Sequence, residues 1–391
     1  MRVIFNVDAI TAPLTGIGRY ALELARGLAT HPDIEALRLY SAYRWVEEPG
    51  AALAANRTIA ALRRSVPFKT EALELYTQLR GMLFRAHTRR LKGWLLHTPN
   101  YVLMPFDGPA LTTVHDLSWI AYPDAHPVER VRFLERHLPR TLERADLVLT
   151  DSEFIAGEIA ATFAVPRAKI RVVPLGVGEE YRPRAHEDLA PALARHALAP
   201  GGYLLVVATL EPRKNLARLA RAYASLPAAL RARYPLVVVG ARGWLNAELE
   251  RTLAPLEAGG EVRRLGYVDE TDLPRLYAGA RAFAFPSLYE GFGLPVLEAM
   301  ASGVPVLTSE AASMPEVGGG AALLVDPLDE PALRDGLVRA LEDEPWRVRA
   351  AAAGVERARG YAWTRCIDAT VGAYREALAS AAALNTLPAG R

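Results

Sequence analysis

Short apolar runs alternate with longer amphipathic segments along this chain. Runs such as Leu236–Gly240 and Val262–Val268 have the length of buried strands, whereas the segment His126–Arg144 repeats apolar residues at helical spacing. Strands that are buried on both faces of a parallel sheet consist of nearly continuous apolar runs. Regular alternation of such strands with helices therefore predicts an α/β fold in which helices cover both faces of a parallel sheet.

The length of the chain and one proline-bearing interval predict two domains. A chain of 391 residues exceeds what a single hydrophobic core usually supports. Residues 179–200 contain three prolines and no clear strand, and an apolar strand begins soon after them. We therefore expect an N-terminal domain over residues 1–178, a linker over 179–200 and a C-terminal domain over 201–360.

Residues 286–301 have the layout of a ligand cradle. An apolar strand precedes them, a loop with Gly291 and Gly293 follows, and a helical segment ends them. Glycines allow positive φ and a close approach of backbone to ligand, and a helix start presents unpaired N–H groups to an anion. Glu290 and Glu298 bracket the loop, although Glu is also common near helix starts for reasons of the helix dipole alone.

Three further groups of polar residues follow predicted strands. They are Gly16 with Gly18, His115 with Asp116, and the pair 213–214, which is Arg-Lys. Open α/β sheets bind ligands at the carboxyl ends of their strands, and adjacent cations beside a helix start suit an anion. From spacing alone, each group also fits a plain interpretation: a turn, a capping Asp, or a solvated basic pair.

Composition excludes several classes of function. The net charge of +2 is too small to indicate nucleic-acid binding, and we expect no nucleic-acid partner. The single cysteine, Cys366, excludes an intrachain disulfide and a cysteine-based metal site, and we interpret it as a buried apolar residue. Neither a run of about 18 apolar residues nor a signal-peptide pattern is present, which predicts a cytoplasmic protein.

Basic residues concentrate between Arg57 and Lys92. Nine basic residues stand there against two acidic ones, interleaved with apolar residues in the pattern of a basic amphipathic helix. Such a helix can lie on an anionic membrane, with Phe68, Phe84 and Trp94 as exposed anchors. The alternative is a solvated basic face whose aromatic side chains pack into their own domain.

Three strings resemble one known family. They are E-G-F-G-L-P-V-L-E-A-M-A-S-G-V-P-V from Glu290, T-S-E-A-A-S-M-P-E-V from Thr308, and T-L-E-P-R-K-N-L from Thr209. They resemble the donor-site segments of the retaining glycosyltransferases grouped as family 4. The resemblance implies the GT-B fold, in which two Rossmann-like, doubly wound domains face each other across a cleft. It also implies that the terminal helix, within 361–391, crosses back to the N-terminal domain.

The resemblance assigns a role to each candidate residue. Arg213 and Lys214 correspond to the pair that stabilises the leaving diphosphate, His115 to a contact with the donor sugar, and Glu290 to a contact with the sugar hydroxyls. Asp116 corresponds either to a residue that orients His115 or to an acceptor contact. The remaining implied donor-binding residues are Gly16, Gly18, Gly266, Tyr267, Val268, Gly291, Phe292, Gly293, Leu294 and Glu298.

The implied reaction is transfer of a hexosyl group, with retention, from a nucleotide-diphosphate sugar to a glycan or lipid-linked acceptor. Similarity to enzymes of cell-surface polysaccharide synthesis favours a GDP-linked, mannose-type donor. No Asp-x-Asp pair follows a strand where a metal is expected, so we predict an enzyme that uses neither a metal nor a cofactor. The alternatives are a nucleotide-sugar epimerase of the same fold, a UDP-glucose-type donor, and a nucleotide-sugar sensor without turnover.

Overall fold

The computed structural model describes residues 1–12, 14–53, 69–241, 243 and 247–386, with the backbone alone for 69–74 and 384–386. The chain divides into two compact units. Unit 1 comprises Met1–Leu175 together with Trp363–Arg391, and unit 2 comprises Gly176–Ala362. Each unit contains its own largely parallel sheet, which confirms the α/β fold predicted from the alternating pattern.

In the described part of unit 1, seven strands form one sheet in the order β3-β2-β1-β4-β5-β6-β7. Neighbouring strands are parallel, except for β2 and β3, which pair antiparallel. The strands are β1 (Arg2–Asn6), β2 (Ala36–Ser41), β3 (Arg44–Val46), β4 (Leu95–Thr98), β5 (Ala110–Thr113), β6 (Leu147–Thr150) and β7 (Ile170–Val172). The loops that follow β1, β4, β5 and β6 therefore share one edge of the sheet.

Two helices of unit 1, α1 and α5, begin at a side chain that caps them. Thr15 accepts a hydrogen bond from the Gly18 amide at the start of α1, and Ser152 accepts one from the Ile155 amide at the start of α5. These helices of unit 1 are α1 (Gly16–Thr30), α2 (Lys69–Thr88), α3 (Ser118–Ala121), α4 (Val128–Arg144) and α5 (Glu153–Phe163).

Six strands within the described residues of unit 2 form an entirely parallel sheet in the order β10-β9-β8-β11-β12-β13. They are β8 (Leu204–Val207), β9 (Leu236–Val239), β10 (Val262–Gly266), β11 (Ala282–Phe285), β12 (Val306–Ser309) and β13 (Leu323–Val325). The chain runs outward from β8 in one direction and then returns to β11 on its other side. The strand order thus reverses between β8 and β11, and open α/β sheets bind ligands at such a reversal.

Helices cover this second sheet. Asp329 caps α13 by accepting a hydrogen bond from the Ala332 amide at 2.9 Å. The described helices of unit 2 are α6 (His186–Ala194), α7 (Leu216–Ala224), α8 (Ala228–Arg233), α9 (Ala247–Ala258), α10 (Leu273–Ala278), α11 (Leu294–Ala301), α12 (Met314–Gly318), α13 (Glu330–Glu342) and α14 (Glu344–Ala358).

The interval 179–200, interpreted from its prolines as a linker, belongs to unit 2 and contains α6. Leu189 and Leu193 are fully buried, and α6 packs against α10. These two leucines lie four positions apart and therefore share one helix face. Pro191 between them conceals the helix in the sequence, because proline in a helix interior usually costs stability.

The last helix, α15 (Trp363–Thr386), follows unit 2 along the chain but belongs to unit 1. It packs on α1, where Gly27 lets it approach closely, since a Cβ atom there would overlap Ile367. The Tyr374 hydroxyl lies 2.7 Å from His97 Nδ1 in the core of unit 1. Burial lowers the pKa of His97 to about 3, so this histidine is neutral.

Helix α2 covers residues 69–88 of the basic segment. Arg57, Arg63, Arg64 and Phe68 lie outside the described residues. The expectation that Phe84 and Trp94 are exposed is wrong. Phe84 is fully buried and packs edge-on against Tyr40, with ring centroids 4.8 Å apart. Trp94 is 8% exposed, and Arg2 and Arg38 cover its ring. Within the described residues, no helix has the length and apolarity needed to cross a bilayer.

Candidate functional site

The loop between β11 and α11 depends on a glycine that no other residue could replace. Gly293 has φ +109° and immediately precedes the first residue of α11. A Cβ atom on Gly293 would also overlap Met314 Cε, so both the backbone conformation and the available space require glycine. This conformation turns the chain into the helix at Leu294. Pro295 has no N–H, and the amides of Val296 and Leu297 donate to the Gly293 carbonyl, so the amides that face the loop are those of Gly293 and Leu294.

A serine from the next loop along the sheet fixes the shape of this loop. The Ser313 hydroxyl lies 2.9 Å from both the Glu290 and the Phe292 carbonyl oxygens. Phe292 is buried and packs edge-on against Tyr361, with ring centroids 5.7 Å apart. Gly291 is buried between these two anchored residues. The backbone of residues 290–293 is therefore held in place without a ligand.

Arg213 and Lys214 lie on a short 3-10 turn, Pro212–Lys214, that follows β8. Asn215 ends the turn in the left-handed region, with φ +60°. Its side-chain amide donates to the carbonyl oxygens of Pro286, at 3.1 Å, and Pro327, at 2.7 Å. Asn215 thus ties the loop after β8 to the loop after β11, the two loops that meet where the strand order reverses.

Glu290 joins the two loops by ion pairs. Its Oε1 lies 2.6 Å from Lys214 Nζ and its Oε2 lies 3.1 Å from Arg213 Nη1. Arg213 Nη2 lies 2.8 Å from Glu211 Oε1 as well. Each of these four side chains is about nine-tenths buried, and together they carry no net charge. The structure thus brings together Arg213, Lys214 and Glu290, which the sequence singled out in separate strings.

Burial and pairing set the protonation of this network. Burial alone would raise the pKa of Glu290, but the Arg213 and Lys214 cations outweigh it and hold the pKa below its usual range. Burial, and then the neighbouring Arg213 cation, lower the pKa of Lys214, although Glu290 and Glu211 oppose both. The carboxylate of Glu290 is therefore ionised and is the main stabiliser of the Lys214 charge.

Three side chains contact the carboxylate of Glu290 at the mouth of the loop. Besides its ion pairs, it accepts a hydrogen bond from the Ser287 hydroxyl at 2.6 Å. A carboxylate has about four acceptor positions, and Lys214, Arg213 and Ser287 use three of them. Glu298 lies one helical turn inside α11 and is also buried, at 6% exposure.

The segment Gly266–Val268, which the family resemblance implies binds the donor, lies at the end of β10. It is at the same edge of the sheet as Arg213 and Lys214. Gly266 has φ +67°, and its carbonyl accepts a hydrogen bond from the Gly240 amide at 2.8 Å. Tyr267 is 54% exposed, whereas Val268 is buried. Since β10 lies two strands from β8, this segment is separated from Arg213 and Lys214 by the width of β9.

Unit 1 places His115 in a buried, charged setting after β5. Its Nδ1 lies 2.7 Å from Asp151 Oδ2 and its Nε2 lies 2.9 Å from the Pro99 carbonyl oxygen. Both partners are acceptors, so both ring nitrogens donate only in the imidazolium form. Burial opposes that charge, but Asp151 outweighs it and raises the pKa of His115. The Tyr20 ring packs edge-on against the imidazole.

The carboxylate of Asp116 contacts Tyr101 and Ser118. Its Oδ1 accepts hydrogen bonds from the Tyr101 hydroxyl at 2.8 Å and from the amide and hydroxyl of Ser118. These contacts give Asp116 the role of a cap on the turn that leads into α3. Of the two roles considered for Asp116, orientation of His115 falls instead to Asp151.

The glycines of the first loop differ from each other. Nothing lies within 4 Å of a Cβ atom built on Gly16, at the first position of α1, whereas one on Gly18 would lie 3.0 Å from the Ala9 carbonyl oxygen. The Gly18 amide already donates to Thr15. Gly18 therefore allows the loop to pack closely on the helix start, and Gly16 lies in open space.

Sequence reasoning missed several residues that hold this site together. Two of them lie within three positions of a residue that the sequence analysis selected. Glu211 precedes Arg213 in E-P-R-K-N, and Ser287 precedes Glu290 in S-L-Y-E, but neither string shows which side chains meet. Asp151 lies 36 residues after His115 in the chain, so only the fold brings the two side chains together.

Comparison with known proteins assigns the family. A family model described as Glycosyl transferases group 1 matches residues 198–357, and one described as Glycosyltransferase Family 4 matches residues 14–181. O-antigen chain mannosyltransferase B from Escherichia coli is 41% identical over 383 residues, which cover 96% of this chain and 100% of that protein. The chain belongs to the group 1 glycosyltransferases. The family resemblance stated from the three strings is thereby confirmed.

Two other comparisons extend this result. The group 1 glycosyltransferase is 32% identical over 244 residues to the serotype-specific mannosyltransferase WbdA from Escherichia coli, which covers 61% of this chain and 30% of that protein. Sucrose-phosphate synthase from Thermosynechococcus elongatus has the same fold, with a TM-score of 0.76 at 22% identity, covering 97% of this chain and 100% of the other. The predicted GT-B fold is confirmed.

Proposed function

We propose that this glycosyltransferase moves a mannose-type hexosyl group from a GDP-linked sugar to a hydroxyl of a glycan or lipid-linked glycan, with retention, during synthesis of a cell-surface polysaccharide. The observation that carries the proposal is the buried pair of cations, Arg213 and Lys214, at the reversal of strand order in unit 2. The names of the relatives, both mannosyltransferases, support the choice of sugar.

The cations suit a diphosphate leaving group. As the bond between the anomeric carbon and the phosphate oxygen breaks, negative charge grows on that oxygen, and fixed cations in a buried site stabilise it most. The acceptor oxygen forms the new bond to the same carbon on the same face, and the leaving phosphate takes the acceptor proton. Arg213, Lys214 and the amides of Gly293 and Leu294 supply the positive charge in this scheme, so we propose that turnover needs no metal ion.

The remaining site residues have proposed positions around the donor. We assign Glu298 to the ribose hydroxyls, the Gly266–Val268 segment to the base, and Glu290 with the backbone of residues 291–294 to the sugar. The imidazolium of His115, whose Nδ1 pairs with Asp151 and whose Nε2 lies 2.9 Å from the Pro99 carbonyl oxygen, places a buried positive charge beside the sugar. Gly16, which has open space around it, contributes its backbone to the donor phosphates.

The helix α2 supports a position at an anionic membrane surface. Four large apolar side chains along it are between 46% and 62% exposed: Leu75, Leu79, Met82 and Leu83. Their spacing places them on one face of the helix. Four exposed basic residues follow at its C-terminal end: Arg85, Arg89, Arg90 and Lys92. An apolar stripe beside basic residues suits a surface of anionic lipids, where a lipid-linked acceptor lies.

Nucleotide binding and product analysis test the proposed reaction together. We expect GDP to raise the melting temperature more than UDP, dTDP or ADP, because a ligand at a hundred times its Kd stabilises the fold by about 2.7 kcal/mol. Guanosine, which lacks the diphosphate, is the control and should give little shift. With GDP-mannose and a mannose-containing acceptor, the new linkage should be α by NMR, and EDTA should leave the rate unchanged. Stabilisation by UDP alone, a β-linkage, or loss of turnover in EDTA would each contradict the corresponding part.

A further inference from the structure

A row of hydrogen bonds crosses the core of unit 1 from the last helix to the ring that packs on His115. The Tyr374 hydroxyl of α15 lies 2.7 Å from His97 Nδ1, and His97 Nε2 lies 2.8 Å from Thr113 Oγ1. Thr113 Oγ1 lies 3.0 Å from the Tyr20 hydroxyl. The Tyr20 ring packs edge-on against the His115 imidazole, with ring centroids 5.0 Å apart. We call the first four side chains, Tyr374, His97, Thr113 and Tyr20, the core network.

The core network is neutral, and its hydrogen bonds are complete within the protein. Its four side chains are at most 1% exposed. Burial, and then the charge of His115, lower the pKa of His97 to about 3, so one of its ring nitrogens donates and the other accepts. A threonine hydroxyl donates one hydrogen bond and accepts two. Either tautomer of His97 therefore leaves each contact of the network with one proton.

The groups that surround His115 divide into charged and neutral ones. Burial lowers the pKa of His115, but Asp151 raises it more, and Asp116 adds to that effect. Burial raises the pKa of Tyr20 and of Cys366, a residue of α15 whose thiol also lies within the field of Asp151. Both groups therefore keep their protons. The helices α1 and α15 thus face the ion pair with neutral groups and act on it through packing rather than charge.

Other contacts already hold α15 on unit 1. Arg171 of β7 donates from Nε to Glu376 Oε2 at 2.8 Å, two positions after Tyr374. Gly27 of α1 allows α15 to approach closely. The helix therefore does not depend on the Tyr374 hydroxyl for its place. A fully bonded network in a protein interior adds rigidity and selects one arrangement of its side chains, which apolar contacts do less well.

We propose that α15 orients His115 through the core network. The network fixes the ring of Tyr20, and that ring holds the His115 imidazolium in place. The members of the network are positioning residues, because they act on His115 rather than on the reacting atoms. The importance of this orientation for turnover rests on the proposed function, whereas the orientation itself does not. Separate measurements therefore test the two parts.

The NMR signals of the His115 ring test the orientation without any substrate. An aromatic ring shifts the resonances of nearby protons, so Tyr20→Leu shows where these signals lie when the ring is absent. We expect Tyr374→Phe and Thr113→Val to move the His115 signals toward that position. Thr113→Ser keeps the hydroxyl and should leave them near the wild-type position. Spectra recorded below the titration midpoint of His115 keep its ring charged in every variant.

Two further variants complete the NMR experiment. Thr370→Val is the matched control, because Thr370 is a buried residue of α15 whose hydroxyl donates to the Cys366 carbonyl at 2.8 Å, outside the core network. Its His115 signals should stay at the wild-type position. Tyr20→Phe breaks the network but keeps the ring, and it should move the signals in the same direction as Tyr374→Phe. It replaces Tyr20→Leu as the reference if the leucine variant does not fold, which the melting temperatures show.

Turnover of GDP-mannose with a mannose-containing acceptor tests the catalytic consequence. A displacement of about 1 Å in a positioned group lowers rates by up to a hundredfold. We therefore expect Tyr374→Phe and Thr113→Val to lower kcat about tenfold and Thr113→Ser to restore most of it. The Kd for GDP should stay the same, because the cations proposed to bind the diphosphate belong to unit 2.

Wild-type His115 signals in folded Tyr374→Phe and Thr113→Val would overturn the inference, as would an equal movement in Thr370→Val. Moved signals with an unchanged kcat would overturn the link between the core network and turnover. Failure of the proposed function has a different sign, which is that the wild type releases no GDP from GDP-mannose in the presence of acceptor. The His115 signals would then still decide whether α15 orients that ring.

Discussion

At the residue scale, the ion pair between Lys214 and Glu290 explains how a buried cation is kept available without a ligand. An isolated ammonium group is costly to bury, and Glu290 offsets that cost at a distance of 2.6 Å. In the proposed reaction, a bound diphosphate would add negative charge beside Lys214 and Arg213, which the carboxylates of Glu290 and Glu211 already hold in position. The cations are therefore positioned in advance, and little reorganisation is needed as charge develops on the leaving group.

We expect Lys214→Ala to lower kcat by about a hundredfold while changing the Kd for GDP much less. The reason is that a charge stabiliser contributes most where charge develops, in the transition state. Single-turnover rates and calorimetric binding of GDP separate the two effects. A variant that loses only donor affinity, with kcat unchanged, would contradict the role of Lys214 at the leaving group.

Arg221→Ala is the matched control for this change. Arg221 is a cation of the same unit on α7, and it pairs at the surface with Glu248 and Glu330. Its removal takes away one positive charge outside the site. A similar loss of kcat in this control would show that overall charge, rather than the position of Lys214, governs turnover.

His115 and Asp151 form a second buried ion pair, and the protonation of His115 can be measured directly. Asp151 raises the pKa of His115, so the imidazolium persists above the usual histidine pKa of about 6.5. Its stabilising contribution is complete below that pH and is lost as pH rises through the folded-state pKa. The carboxylate of Asp116 also raises the pKa of His115, whereas burial lowers it.

In Asp151→Asn, we expect the His115 ring signal in an NMR titration to change at a lower pH than in the wild type. The amide cannot balance the imidazolium charge, so burial then favours the neutral ring. Glu153→Gln removes a nearby but exposed carboxylate at the start of α5 and serves as control. Equal midpoints for His115 in the wild type and Asp151→Asn would remove the assigned role of Asp151.

At the element scale, the parallel strands and the cradle loop are predictable from the sequence because local pattern determines them. The apolar runs that predict strands are buried on both faces of the sheets, and Gly293 has the positive φ that a glycine-bearing loop before a helix suggests. Cys366 is buried, as its interpretation as an apolar residue predicts.

Other elements are not predictable in this way, because distant contacts determine them. The leucines of α6 matter only once α10 covers them, and Pro191 conceals the helix. In α2, the sequence marks aromatic residues as candidate surface anchors, yet Phe84 packs against Tyr40 of β2. The exposed stripe consists of leucines and a methionine instead.

In the candidate site, too, local sequence predicts some features and distant contacts determine the others. Local strings single out Arg213, Lys214 and Glu290, because each lies in a loop at the end of a strand. Their mutual ion pairs depend on the strand order, which places β8 beside β11 although 74 residues, 208–281, lie between the two strands in the chain.

 Strand order is a property of the whole sheet, so no local pattern in the sequence contains it.

At the scale of the whole molecule, charge does not by itself draw this protein to an anionic surface. The net charge is +2, spread over 46 basic and 44 acidic residues. Long-range attraction is therefore weak, and adhesion to a membrane depends on a local cluster. The C-terminal end of α2 supplies such a cluster directly beside the exposed apolar stripe of the same helix.

We expect the protein to sediment with vesicles that contain anionic lipids, and to do so less at high salt, because salt screens the basic cluster. Each basic residue near such a surface contributes about 1 kcal/mol, so replacing Arg85, Arg89 and Arg90 together by Glu should weaken binding more than tenfold. Replacing Leu79 and Met82 by Glu should weaken it at high salt as well, since these side chains enter the apolar layer.

A matched charge reversal elsewhere separates a local surface from overall charge. Arg132, Arg140 and Arg349 are exposed and lie outside α2, and their replacement by Glu changes the net charge by the same amount. That triple variant should keep most of the binding if α2 is the contact. Equal losses in the two triple variants, or no binding by the wild type to anionic vesicles, would exclude α2 as a membrane contact. Neither result would bear on the transfer reaction, because the cations proposed to bind the donor lie in unit 2 and the helix α2 lies in unit 1.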